Sequence, residues 1–309
     1  MKRAVIIWAV LLMLVAALWF LGNNYVLHIA TMVVIMAPMA LSLNIMMKLG
    51  QLSIAQPAFM GIGAYGAALL TMRLGVPPPL SMLAGASIAA AMAAVSGPVF
   101  LRIKGVYFVL LTYAFSQVVN LVFQEWVSLF GGNSGLYGIP KFSLFGWRFT
   151  SIHHYFALGL VFTCLCYAAM RAIERSDIGA IFDSLNENEM LSRSIGANAL
   201  AWRTAAYTFS AFVAGIAGGI YAFYIGFLSP DPFGFRASVD LIVINAVGGV
   251  NLALGPMLGS LLIVPLPELL RDARQYQLLV YGVCLLVFVV FLKQGLVSLF
   301  SSTQKGGRR

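Results

Sequence analysis

Residues 171–203 hold five of the chain's ten acidic side chains, Glu174, Asp177, Asp183, Glu187 and Glu189, together with four of its arginines. Charges at this density on a helix-prone stretch act by pairing with another surface, and such a segment between apolar runs has a soluble partner to meet. A second set of groups is polar without charge: Asn44, Gln51, Ser53 and Gln56, followed by Thr112, Gln117 and Asn245. An amide inside an apolar run needs a hydrogen-bond partner. Each of these residues is therefore either glue between helices or the lining of a pathway.

Fuel-handling chemistry is missing from the pattern. No lysine follows a glycine, so the Gly-Lys-Ser/Thr phosphate cradle cannot be written anywhere. His28, His153 and His154 have no acidic or cysteine partners at metal-ligand spacing. Neither a Ser–His–Asp set nor a carboxylate pair stands out, and the chain reads as a non-enzyme with no metal or cofactor of its own. Cys164, Cys166 and Cys284 lie in apolar runs and read as buried small hydrophobes. Ion-coupled carriers place ionisable groups at membrane depth. Here only Asp240 and Glu268 do so, and both sit where a span could meet an interface.

The elements that must position these residues are apolar runs. The chain of 309 residues is 61% hydrophobic and 9% charged, with a mean hydropathy of +0.92. Runs of about 18–25 residues match the ~30 Å hydrocarbon core of a bilayer. They are continuous rather than alternating, which excludes a β-barrel. The expected fold is all-α, a polytopic helical membrane protein with about 8–10 transmembrane helices in a single domain over residues 1–309. Candidate segments are 4–21, 25–47, 51–72, 79–101, 105–124, 152–171, 204–228, 238–250, 253–270 and 276–292.

Two of these weaken the count. Segment 238–250 is short and carries Asp240, and 51–72 is interrupted by Gln51, Ser53, Gln56, Pro57 and three glycines, as a broken or re-entrant span would be. The start resembles a signal peptide but lacks a convincing small-residue cleavage site, and it reads as the first span. Small residues four apart in Gly215-Ile-Ala-Gly-Gly219 point to close helix packing.

The net charge of +9 does not indicate nucleic acid, because the basic residues stand singly at the ends of apolar runs. Counting crossings from a cytoplasmic N-terminus places thirteen of the nineteen basic residues inside and six outside. That orientation puts both termini, a disordered tail at about 301–309 and the polar loop at about 172–203 in the cytoplasm. The stretch 125–151, with its glycines and Pro140, becomes an external loop built of tight turns.

The order of several motifs then resembles a known family. LGQLSIAQPAFMGIGAY (49–65) is similar to its G-Q-x-S-x-G-H-A-A-F-x-G-I-G-A-Y, and GGNSGLYGIP (131–140) to its G-G-x-x-G-L-x-G-I-P. SDIG (176–179), NENE (186–189) and IG (195–196) resemble its cytoplasmic loop. FLSP (227–230), GGV (248–250), GP (255–256) and LPELL (266–270) fit its C-terminal third. By these motifs the chain is identified as a member of the branched-chain amino acid ABC importer permease family, on its LivM-like side.

The resemblance implies a second, homologous permease, two cytoplasmic ATPase subunits that consume ATP, and a periplasmic solute-binding protein, all at the bacterial inner membrane. It implies that Asp177, Gly179, Glu187, Asn188, Glu189 and Gly196 belong to the ATPase-coupling loop, with Gly196 ending its helix. Asn44, Gln51, Ser53 and Gln56 then read as the substrate pathway. Family arginines appear here as Ala180, Asp183 and Asn186, and the usual Gly-His-Ala as Ala55-Gln56-Pro57. Members also carry urea, amides or aromatic acids, so those solutes stay open beside branched-chain amino acids. A stand-alone carrier or channel and a membrane anchor for a signalling partner are the competing readings.

Overall fold

The computed structural model describes residues 22–269 apart from 145, 195, 197 and 251, together with 282, 283 and 286. Segments 4–21 and 276–292, the tail at 301–309 and Cys284 lie outside the described residues.

The described chain is helical, as a backbone in hydrocarbon must be when it satisfies its own polar groups. In chain order it forms α1 (Asn24–Lys48), α2 (Gln56–Leu74), α3 (Pro78–Phe100), α4 (Val106–Glu125) and the single turn α5 (Val127–Phe130). Next come α6 (Ile152–Arg175), α7 (Asp177–Glu187), α8 (Glu189–Ser194) and α9 (Ala199–Ile225). The last are α10 (Phe235–Gly248), α11 (Leu254–Ile263) and the turn α12 (Leu266–Leu269). Among the described residues, α1, α3, α4, α6 and α9 are long and apolar enough to cross a membrane.

Local signals set the ends. Ser151 caps α6 by accepting from the His153 amide, and Asn198 caps α9 by accepting from the Ala201 amide. Pro78 stands in the first turn of α3, where its missing N–H costs nothing. The interruption expected in 51–72 falls at its start. Residues 50–55 are not helical, and an unbroken 19-residue helix begins at Gln56. The 14 residues of α10 and the 10 of α11 extend about 21 and 15 Å, so neither crosses alone. They pack as a pair through glycine: a Cβ on Gly248 would lie 2.0 Å from the Gly255 carbonyl oxygen.

In lipid, helices gain little from hiding apolar surface from one another, so small residues and close backbone contact hold them together. The centre is a seam of α2, α3 and α9. A Cβ on Gly63 of α2 would fall 2.3 Å from Gly215 Cα on α9, and one on Gly218 would fall 2.0 Å from the Met60 carbonyl oxygen. The Gly215–Gly219 stretch is thus a packing surface. Both cysteines of α6 are free; Cys166 is buried, and Cys164 is exposed on the opposite face because α6 lies at the rim.

The stretch 125–151 is more regular than its turn residues suggest. Besides α5 it contains β1 (Leu136–Tyr137), β2 (Ser143–Leu144) and β3 (Trp147–Arg148). β2 and β3 pair with each other, while β1 pairs antiparallel with β4 (Phe227–Leu228), matching Leu136 to Leu228 and Tyr137 to Phe227. The partner of β1 lies some ninety residues further on, which local turn chemistry cannot foresee.

Candidate functional site

The polar loop folds as two helices joined at an extended residue, Asn188. α7 is amphipathic. Gly179, Phe182 and Leu185 are buried, and the Phe182 ring packs edge-on against Trp202 at the start of α9. Asp177, Ala180, Asp183, Asn186 and Glu187 are exposed, three carboxylates along one side of the helix. Gly179 is small by necessity, since a Cβ there would stand 2.6 Å from the Ile173 carbonyl oxygen at the end of α6. Exposed Gly196 takes φ +93 just beyond α8, a left-handed conformation that glycine tolerates and that ends a helix.

A carboxylate grips each side of this unit. Before it, Glu174 on α6 pairs with Lys48 at the end of α1, accepts from Arg171 at 2.9 Å, and accepts from the Ala253 amide at 2.9 Å. One side chain so ties α1 and α6 to the turn between α10 and α11. After it, Glu189 accepts from Arg203 on α9 at 2.8 Å and pairs with Lys104 in the α3–α4 turn. Burial pushes the Glu189 carboxyl up, but the hydrogen bonds and charges of Lys104 and Arg203 outweigh that effect and hold its pKa down at about 2.

The loop residues therefore divide. Asp177, Glu187 and Asn188 are exposed, Gly179 is interior, and Glu189 turns inward onto two cations of its own chain. Lys48, Lys104, Glu174 and Arg203 complete the arrangement; Glu174 and Arg203 belong to the charged stretch, but Lys48 and Lys104 lie outside it. Nothing local links Lys48 to a carboxylate 126 positions away.

Asn44, Gln51, Ser53 and Gln56 are all buried. Ser53 donates to Gln56 Oε1 at 2.9 Å, and Gln56 Nε2 donates to Ser210 on α9 at 2.9 Å. The non-helical backbone between them is satisfied from outside: the Ile54 amide donates to Thr112 of α4, and the Ile54 carbonyl accepts from Ser238 of α10. Irregular backbone inside a bilayer persists only with such cover. Asn44 stands apart, donating to Asn245 Oδ1 and the Val250 carbonyl, both at 3.1 Å. Gln51 Oε1 has no hydrogen-bond partner among the described residues. Asn44 and Gln56 thus make hydrogen bonds between helices, while Ser53 bonds within its own segment.

A polytopic helical body with a clamped, polar helix pair at one end has the build of a transport subunit, and comparison gives the class. The family described as "Branched-chain amino acid transport system / permease component" matches residues 25–292. The chain belongs to this family. The permease is 28% identical over 316 residues to the high-affinity branched-chain amino acid transport system permease protein LivM of Escherichia coli K12, covering 94% of its own length and 74% of that relative. It is also 28% identical over 311 residues to the LivM protein of Salmonella typhimurium LT2, covering 93% and 73%. No solved structure gave a significant match to the permease.

Proposed function

We propose that this permease is one membrane half of an ATP-driven importer for branched-chain amino acids. A periplasmic binding protein delivers the solute, a second homologous permease completes the pathway, and two separate cytoplasmic subunits hydrolyse the ATP. The α7–α8 pair is the face on which an ATPase subunit docks, and it lies in the cytoplasm together with both chain termini. The bacterial inner membrane is the compartment in which these parts meet.

The observation that carries this reading is the division of labour in the loop. The apolar side of α7 and the carboxylate of Glu189 fasten the unit to the helical body, while Asp177, Asp183 and Glu187 stay exposed on it. An element held this firmly can pass a push into α1, α6 and α9 without folding away from it. Closure of the ATPase subunits would then rock the helices between inward and outward access. The basic residues Lys48, Lys104, Arg171 and Arg203 gather at the same end, as the positive-inside rule expects of a cytoplasmic face.

Reversing Glu187→Lys together with Asp183→Lys tests the docking face. ATP-driven leucine uptake by the assembled importer in vesicles should fall by roughly tenfold or more as like charges replace complementary ones. The thermal stability of the permease should stay within about 0.5 kcal/mol, because both side chains are exposed. Uptake at the wild-type rate would defeat the assignment. So would labelling of a cysteine placed at Asp183 by an impermeant reagent added to intact cells.

A further inference from the structure

Among the described residues three charged side chains line one cavity, two of them, Asp231 and Arg236, exposed and Asp240 half-buried. The cavity has a volume of about 270 Å³ and lies between α1, α2, α10 and α11. Asp231 in the turn before α10, Arg236 in the first turn of α10 and Asp240 one turn later contribute to its wall. The rest is apolar, with Met39 of α1, Met60 of α2 and Ile244 of α10 among the lining residues. Met39 lies 15 residues into α1 and nine from its end, about 22 and 14 Å along the axis. The cavity thus reaches the middle third of α1.

We infer that this cavity receives the transported solute as a zwitterion, an α-amino acid with an apolar side chain. Arg236 takes the carboxylate, Asp231 faces the ammonium, and the methionine and isoleucine side chains accommodate the hydrocarbon part. Neither Asp231 nor Arg236 forms an ion pair or side-chain hydrogen bond among the described residues, so neither charge is needed for packing. The amides at the start of α10 add a partial positive charge beside Arg236, which favours a carboxylate at the same place. Helices too short to cross alone are where membrane carriers expose such ends at mid-depth, and α10 has 14 residues. Methionine walls adapt to apolar groups of differing branching. The volume is just below that of cavities for drug-sized ligands, as suits a small solute.

This inference rests on the importer reading, and its test separates the two. The assembled wild-type importer in vesicles is illuminated with a diazirine analogue of leucine, and the labelled peptides are mapped by mass spectrometry. Label should appear on peptides carrying Met39, Met60 or Ile244, disappear with excess leucine, and fall by roughly tenfold or more in Arg236→Gln. Ile244→Trp, which fills the cavity without removing a charge, should abolish it as well and serves as the readout if Arg236→Gln fails to fold. Vesicles that take up leucine with ATP while these peptides stay unlabelled would overturn the cavity assignment and leave the importer reading intact. A phosphatidylethanolamine that co-purifies in the cavity and that leucine does not displace would overturn it too. Absence of ATP-driven uptake in the wild type would instead remove the importer reading.

Discussion

Along the seam of α2, α3 and α9, backbone lies on backbone with glycine between, and no charge takes part. At the end where α7 and α8 sit, the helices are joined by a few ion pairs around Glu174 and Glu189. The seam has no tolerance for displacement, because van der Waals contact either exists or is lost within an ångström. Ion pairs weaken only as the inverse of distance and keep much of their energy through small shifts. A transporter needs both properties. The three-helix seam is fitted atom to atom, whereas the α7–α8 end is joined to the helical body through two carboxylates.

The sharpest way to break that contrast is to add volume to the seam. Gly218→Leu places a side chain where even a Cβ would lie 2.0 Å from the Met60 carbonyl oxygen. The cost should exceed ~3 kcal/mol, beyond ordinary overpacking because the opposing atom is backbone. The expected result is no monodisperse permease on size exclusion in detergent. Folded protein with wild-type melting behaviour would show that the seam yields.

Removing a clamp should cost less, and unequally. Glu189→Gln strips the full counter-charge from Arg203, whose side chain is only 6% exposed, and should destabilise by about 3–5 kcal/mol. Lys104→Gln removes a partner that is 57% exposed and should cost under ~1 kcal/mol. Thermal unfolding of both variants beside the wild type measures the difference. Equal losses would mean that burial of Arg203 does not set the scale.

Acid should take away from the wild type the same charge that Glu189→Gln removes. The folded pKa of Glu189 is about 2, below the ordinary value of 4.5. A depressed carboxylate contributes stability that is complete above its unfolded pKa and is lost as pH falls towards the folded one. The difference in melting temperature between wild type and Glu189→Gln should thus hold steady above about pH 4.5 and close between there and about pH 2. A difference that persists at pH 2 would assign the variant's effect to shape rather than charge.

The helices were legible in the sequence because apolar length and caps are local. The expected runs 79–101 and 152–171 begin within a residue of α3 and α6, whereas α9 begins at Ala199, five residues ahead of the expected 204–228, because its first turns are polar and start at the Asn198 cap. The loop was legible for the same reason, since its charges contrast with everything around them. What joins distant segments was not. Asn44 and Asn245 stand out singly as amides in apolar runs, yet their pairing across 201 positions follows from the packing of α1 on α10. Glu189 and Glu187 look alike in the string NENE, and only the fold turns one towards Arg203 and leaves the other in solvent. The cavity was hidden similarly: Asp240 stood out by its charge, but Met39, Met60 and Arg236 come from three separate helices.

The longest described helix runs from one face of the molecule to the other. α9 carries Arg203 in its first turns and is followed directly by β4, the strand that holds the 136–137 stretch. Its 27 residues form a rod of about 40 Å with a fastening at each extremity. A protein settling on the strand pair would therefore load this rod end-on, and the disturbance would surface beside Glu189 with no intermediate element to relay it. In the importer proposed above, a single continuous piece of backbone would join the two faces.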